Sequence, residues 1–300
     1  MKSFLFSFYP RFLQLGKNNS WMALVLTAVF IFLSSTVVEQ SSAQGGLQVL
    51  PTRVVFEGRT RSTQIHLLNQ GKEKATYRIS FKNMRMTETG GYEDVKEPLP
   101  GEKFAADFIR YSPRQIEIEP GASQTVRLLL RKKSDLLPGE YRSHMLFSTV
   151  PPKDTGKDIE SLASGQENLE ISLTPIFGVT IPVIVRHGKG SATAGIADFQ
   201  IHAPVKPEDK SSLSFNISRQ GDRSLFGDIS IKFTPQNGAE ETEVGRLNGV
   251  AVFTPNKSRK INLFLAPPKG LELKQGLLNI TYKDHNESKK VLASGQLKLP

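Results

Sequence analysis

Between Leu169 and Val185 the chain sets Leu169, Ile171, Leu173, Phe177, Val179, Ile181, Val183 and Val185 on alternate positions. Apolar residues at every second position are the signature of a β-strand with one greasy face. Extended at about 3.3 Å per residue, such a run reaches roughly 50 Å, whereas an ordinary strand has only about five or six residues. One small domain has no core long enough to cover that face. Either Pro175 and Gly178 divide the run into two ordinary strands, or part of it is held for a partner.

The rest of the chain has the same period. From Gln48 to Val150 short alternating segments are separated by turn residues: QVLPTRVVFEG, STQIHLLNQG, ATYRISFKNMRM and EYRSHMLFSTV. QIEIEPGASQTVRLLL reads as a hairpin turning at Pro120-Gly121-Ala122-Ser123. Lys153 to Asn168 is polar and Gly- and Ser-bearing, as a surface loop is. After Arg186 the run HGKGSATAG reads as a linker, and SLSFNIS, DISIKF, GVAVFTP, KINLFLA and GLLNITYKD form a second series of strands. No stretch after residue 43 shows sustained helical periodicity. The pattern is that of an all-β protein with two sandwiches in tandem, residues 44–188 and 189–300.

Residues 1–43 stand apart. Lys2, Arg11 and Lys17 precede the apolar stretch Trp21 to Val38, and Ser41-Ser42-Ala43 offers small residues to a signal peptidase. The segment reads as a cleaved export signal, although Trp21 to Val38 is also just long enough to span a tilted bilayer. Cleavage removes three basic residues and Glu39, which lowers the formal charge of +10 to about +8. A basic exported chain points to acidic protein surfaces or anionic membranes rather than to nucleic acid. Arg127, Arg131, Lys132 and Lys133 make the densest basic cluster and read as a solvated strand end. The chain has no cysteine, which excludes disulfides, thiolate metal sites and cysteine nucleophiles.

Catalytic signals are missing from the sequence. His66, His144, His187, His202 and His285 are scattered without metal-ligand spacing and read as ordinary surface or strand histidines. There is no G-x-S-x-G elbow, P-loop or dinucleotide fingerprint. The expectation is a protein that is not an enzyme and carries no cofactor.

Taken together, SPRQIEIEPGASQTVRL, LLPGEYRSHMLFSTVPP and the early PTRVVFEG resemble the periplasmic assembly chaperones of the chaperone-usher pilus pathway. The resemblance covers nearly everything after residue 43 and is most specific between Tyr111 and Pro152. It implies two Ig-like domains, a periplasmic location, and no stable membrane insertion after signal cleavage. It implies as partners pilus or fimbrial subunits and an outer-membrane usher. It implies also that the long strand is lent to a subunit lacking one of its own, a form of β-strand addition. Leu169, Ile171, Leu173, Phe177 and Val179 are then the donor residues. Arg53 falls at the family's cleft arginine and Glu140 at its acidic position, and Arg53 with Arg186 becomes the anchor for a subunit's terminal carboxylate. Two positions depart from the pattern: Pro182 stands where the family has a lysine, and Leu146 where it has an asparagine. The rival reading of the same two sandwiches is a non-catalytic structural or adhesive protein of the cell envelope.

Overall fold

The computed structural model describes residues 46–151, 176–204, 210–286 and 290–300, and apart from one short 3-10 turn at Ala106–Phe108 its regular structure is entirely β. The first strands are β1 (Leu47–Leu50), β2 (Val54–Phe56), β3 (Ser62–Asn69), β4 (Ala75–Lys82), β5 (Met84–Met86) and β6 (Tyr92–Asp94). They are followed by β7 (Ile109–Ser112), β8 (Gln115–Ile118), β9 (Ser123–Leu130), β10 (Gly139–Thr149) and β11 (Gly178–His187). Sheet order is β1-β3-β9-β7 on one side and β2-β11-β10-β4-β8 on the other. Their inward residues meet in one core, with Phe56, Ile65, Leu67, Ile118, Val126, Met145, Phe147 and Val183 essentially without solvent contact. This interleaving of alternate positions from two sheets is how a sandwich hides its apolar faces.

Two sequence expectations fail here for one reason. QIEIEPGASQTVRLLL is not a hairpin: β8 pairs with β4, whereas β9 pairs with β3 and β7 in the opposite sheet. The turn at Glu119–Ala122, closed by Ala122 N–H donating to the Glu119 carbonyl (3.1 Å), carries the chain across the sandwich. Gly121 takes φ +70° there and donates to the Asn69 carbonyl at 2.8 Å. Likewise QVLPTRVVFEG is two strands in two sheets, β1 antiparallel to β3 and β2 parallel to β11, parted at Pro51. Alternation says which residues face a core, not which sheet presents them.

The second series comprises β12 (Ala192–His202), β13 (Ser212–Gly221), β14 (Leu225–Pro235), β15 (Thr242–Val252), β16 (Ser258–Phe264), β17 (Gly276–Asp284) and β18 (Val291–Leu299). The sheets run β12-β13-β16 and β15-β14-β17-β18 around a separate core that includes Phe215, Ile229, Ile231, Phe233, Ile280 and Tyr282. The expected linker is shorter than HGKGSATAG, because β11 runs to His187 and β12 starts at Ala192. β12 and β18 escaped the pattern reading: Ala, Gly and Ser dilute their alternation.

The two pairs of sheets meet along the outer face of β2, β11 and β10. Ile184 joins Met86, Ala251 and Phe253 in a small buried cluster, flanked by Val55 and Phe226. The β5–β6 hairpin reaches over to the second pair of sheets, where Asn256 Nδ2 donates to the Met86 carbonyl (2.8 Å) and Lys260 N–H to that of Glu88 (2.7 Å). Arg223 closes the back of the junction with bonds to the carbonyls of Gly139 (2.8 Å) and Gly188 (2.6 Å). Residues 44–300 thus form one compact unit.

Candidate functional site: an open strand edge and a basic junction

The first element of the site is β11 itself. Its ladder with β10 is continuous, from Gly139↔His187 to Ser148↔Gly178. On its other edge β2 pairs only with Val183, Ile184 and Val185. Among the described residues, then, no strand pairs with that edge from Gly178 to Pro182. An edge of this kind offers unpaired backbone groups to another chain. The parity of β11 places Val185, Val183 and Ile181 in the first core, with Val179 partly buried against it. Beyond Val179 the apolar character continues into the open: Phe177 is 38% exposed and Ile176 65%. The chain is held to β10 at this point by Thr149, whose N–H donates to the Phe177 carbonyl (2.9 Å) while its Oγ accepts from the Phe177 N–H (3.0 Å).

Of the expected donor residues, Phe177 and Val179 thus lie at the start of the strand, whereas Leu169, Ile171 and Leu173 lie outside the described residues. So do the loop at 153–168 and the export segment at 1–43. Among the described residues no helix is long and apolar enough to cross a membrane.

The second element is the junction. Parallel pairing of β2 with β11 brings Arg53 to the level of Pro182, with its guanidinium over the ring of Phe226 at 4.3 Å to the centroid. Arg53 Nε and Nη2 are buried without a hydrogen-bond partner. Burial, and then the neighbouring charge of Arg186, lower its pKa to about 10. Arg186 is differently placed. Its Nε donates to Glu140 Oε2 and its Nη1 to Glu57 Oε2, each at 3.0 Å, so its charge is already met by two carboxylates. Of the two expected anchors, Arg53 alone has unmet donors.

Beyond Glu140, the side chains around them carry no signal in the alternation. β10 directs Glu140, Arg142 and His144 onto the outer face, where all three are buried. Arg142 lies over the Phe253 ring at 4.2 Å, and both nitrogens of His144 lack a partner. Desolvation, assisted by Arg142, lowers the His144 pKa to about 3, so the ring is neutral at ordinary pH. This is no ordinary strand histidine. Among the described residues no three side chains of metal-binding type come together.

No protein-family model and no curated protein sequence matches the chain. Among solved structures the chain is similar to the YadV chaperone, at 14% identity over 85% of this chain and 100% of that one, with a TM-score of 0.41. It is similar also to the Pseudomonas aeruginosa CupB2 chaperone, at 12% identity over 84% and 100% with a TM-score of 0.42. The E. coli chaperone DraB matches at 12% identity over 85% and 96%, again with a TM-score of 0.42.

Proposed function

We propose that the protein is a non-enzymatic periplasmic chaperone that binds pilus-type subunits by lending them the leading part of β11 and the residues before it, then delivers them to an outer-membrane usher. In this reading residues 1–43 are the removed export signal, 44–188 the strand-lending domain and 189–300 the second domain. The observation that carries the proposal is the β11 edge: unpaired from Gly178 to Pro182 among the described residues, and preceded by exposed Ile176 and Phe177. A subunit lacking one strand exposes an apolar groove with two unpaired edges. An alternating donor strand meets both needs at once, the backbone by ladder bonds and the groove by every second side chain. No nucleotide enters, because completion of the subunit's own fold drives release. Arg53, with unmet donors at the lip of the junction, is the anchor for a terminal carboxylate. The observed Arg186–Glu140–Glu57 cluster makes Arg186 a support for that site rather than a direct ligand.

Hydrogen exchange tests the proposal. Mixed with an Ig-like pilus subunit that lacks one strand, the amides of Gly178 and Thr180, which face the open edge because Phe177 N–H is turned to Thr149 on β10, should gain protection that a strand-complete version of the same subunit does not confer. Equal exchange with both subunits would rule out strand donation.

A further inference from the structure

Every buried side-chain nitrogen without a hydrogen-bond partner, among the described residues, belongs to Arg53, Arg142, His144 or Arg259, and all four line the junction. Native proteins leave few such groups, and each calls for an explanation. Arg142 is 7% exposed and His144 2%. The contacts Arg142 does make are long, 3.4 Å from Nη1 to the Thr254 carbonyl and 3.4 Å from Nη2 to that of Met84, and its Nε makes none. Arg259, from β16 on the other side of the junction, has one bond, Nη1 to the Ala251 carbonyl at 2.8 Å, and an orphaned Nε. Tyr92, on the β5–β6 hairpin, packs against His144. Its ring meets that of His144 edge-on at 5.1 Å, and its hydroxyl lies within electrostatic reach of Arg142, Arg259 and Arg53.

Among the described residues no carboxylate forms an ion pair with Arg142, Arg259 or Arg53. Of the two acids that act on Arg142, Glu102 is engaged by Arg85 at 2.6 Å and Glu140 by Arg186 at 3.0 Å. Among the described residues the bonds and ring contacts of Arg142, Arg259 and Arg53 are thus to aromatic faces and carbonyls alone. Burying unpaired charge is expensive, and the cost falls when an anion completes the hydrogen bonds. Planar guanidinium forks suit tetrahedral oxyanions, and a surplus of several positive charges suits a doubly charged one better than a monocarboxylate.

We propose that Arg142, Arg259 and His144, roofed by Tyr92, form a binding site for a doubly charged tetrahedral oxyanion of the phosphate class, which ties the two pairs of sheets together. Tyr92 can admit it: the residue is 43% exposed, and among the described residues its hydroxyl makes no hydrogen bond. The proposal stands apart from strand donation, which uses the free edge of β11 rather than the outer face of β10.

Titration calorimetry of the purified full chain with inorganic phosphate, at constant ionic strength set with sodium chloride, tests it. One saturable site per chain is expected, with sulfate competing and acetate at least tenfold weaker. Arg259→Gln and Arg142→Gln should each weaken phosphate at least tenfold. Because Arg142 is deeply buried and its variant can fail to fold, Tyr92→Phe, which removes only the hydroxyl, serves as a second probe and should weaken phosphate several-fold with the melting temperature unchanged. Failure of phosphate to saturate, acetate binding as tightly as phosphate, or undiminished affinity in Arg259→Gln each overturns the proposal.

Discussion

Arg186 and Glu140 face each other across the β10–β11 ladder, Nε 3.0 Å from Oε2, with the Glu140 side chain fully buried. The same carboxylate also accepts from Ser224, through both its backbone N–H and its hydroxyl, so one buried acid ties the first pair of sheets to the second. Glu57 completes the arrangement from the solvent side.

Removing only the acid should be costly. In Glu140→Gln, Arg186 keeps a single exposed counter-charge and still lies beside Arg53, so a loss of about 3 to 5 kcal/mol is expected, the usual result of breaking a buried pair. Denaturant unfolding measures it. The double variant Glu140→Leu with Arg186→Met should recover much of the loss, since it strands no charge. A double variant as unstable as the sum of the singles would mean that the pair contributes nothing as a pair.

His144 should govern the acid limb of stability. The unfolded ring takes up a proton near pH 6.5, whereas the folded one does so only near about 3. Between those values the unfolded state binds more protons, so stability is full above about 6.5 and drains away as pH falls toward 3. Two pH units within that window correspond to about 2 to 3 kcal/mol. His144→Phe keeps an aromatic ring against Tyr92 and should flatten the dependence between pH 6.5 and 4.5 in phosphate-free buffer. A slope unchanged in the variant would place the titration elsewhere.

Arg53 is expected to matter for binding and little for folding. It has a cation–π contact and no hydrogen bond or ion pair among the described residues, and Arg186 repels it. Arg53→Met should therefore leave the unfolding midpoint within about 0.5 kcal/mol of the parent. Capture of a subunit peptide with a free terminal carboxylate should fall, and capture of the amidated peptide should not. Equal losses for both peptides would remove the carboxylate from the account.

Much of the fold was legible because period-two alternation reports burial directly. Ile65, Leu67, Tyr77, Ile79, Val126, Leu128, Val183 and Val185 lie in the core where their parity puts them. Pairing was not legible. Nothing local distinguishes a turn that returns a strand to its neighbour from one that crosses to the facing sheet, and so the segment at 115–130 reads as a hairpin although its strands lie in two sheets. The junction was legible in Arg53, Glu140 and Arg186 and no further. Arg142 and His144 share a strand with Tyr141, Met145 and Phe147 and look like the solvent face of an alternating segment. They are buried because Phe253, Thr254 and the β5–β6 hairpin cover them, contacts with residues distant in sequence that no window can contain. Arg259 could not be found at all without the fold, since β16 reads as a plain exposed strand.

The start of β11 gives the most direct test of strand lending. Ile176 is mostly in solvent and Phe177 is exposed over more than a third of its surface, so the free protein gains little from them. Replacing both with aspartate should change stability by no more than about 0.5 kcal/mol, as exposed substitutions generally do. In a complex Phe177, which shares the parity of Val179 and Ile181, would enter a subunit groove while Ile176 points to the opposite face, and completing the burial of Phe177 is worth about 1 kcal/mol. The loss of Phe177 alone should lower affinity about fivefold, and an aspartate forced into the groove would add the cost of an unpaired buried charge. Phe177 keeps its backbone bonds to Thr149 in the variant, so the strand stays aligned on β10. Pull-down of a strand-lacking Ig-like subunit, read beside the thermal unfolding of the free variant, separates the outcomes. A variant that melts as the parent does and no longer retains the subunit supports donation from this edge. One that retains it undiminished shows that Phe177 faces away from the client. A variant that melts far lower places both side chains in the protein's own core.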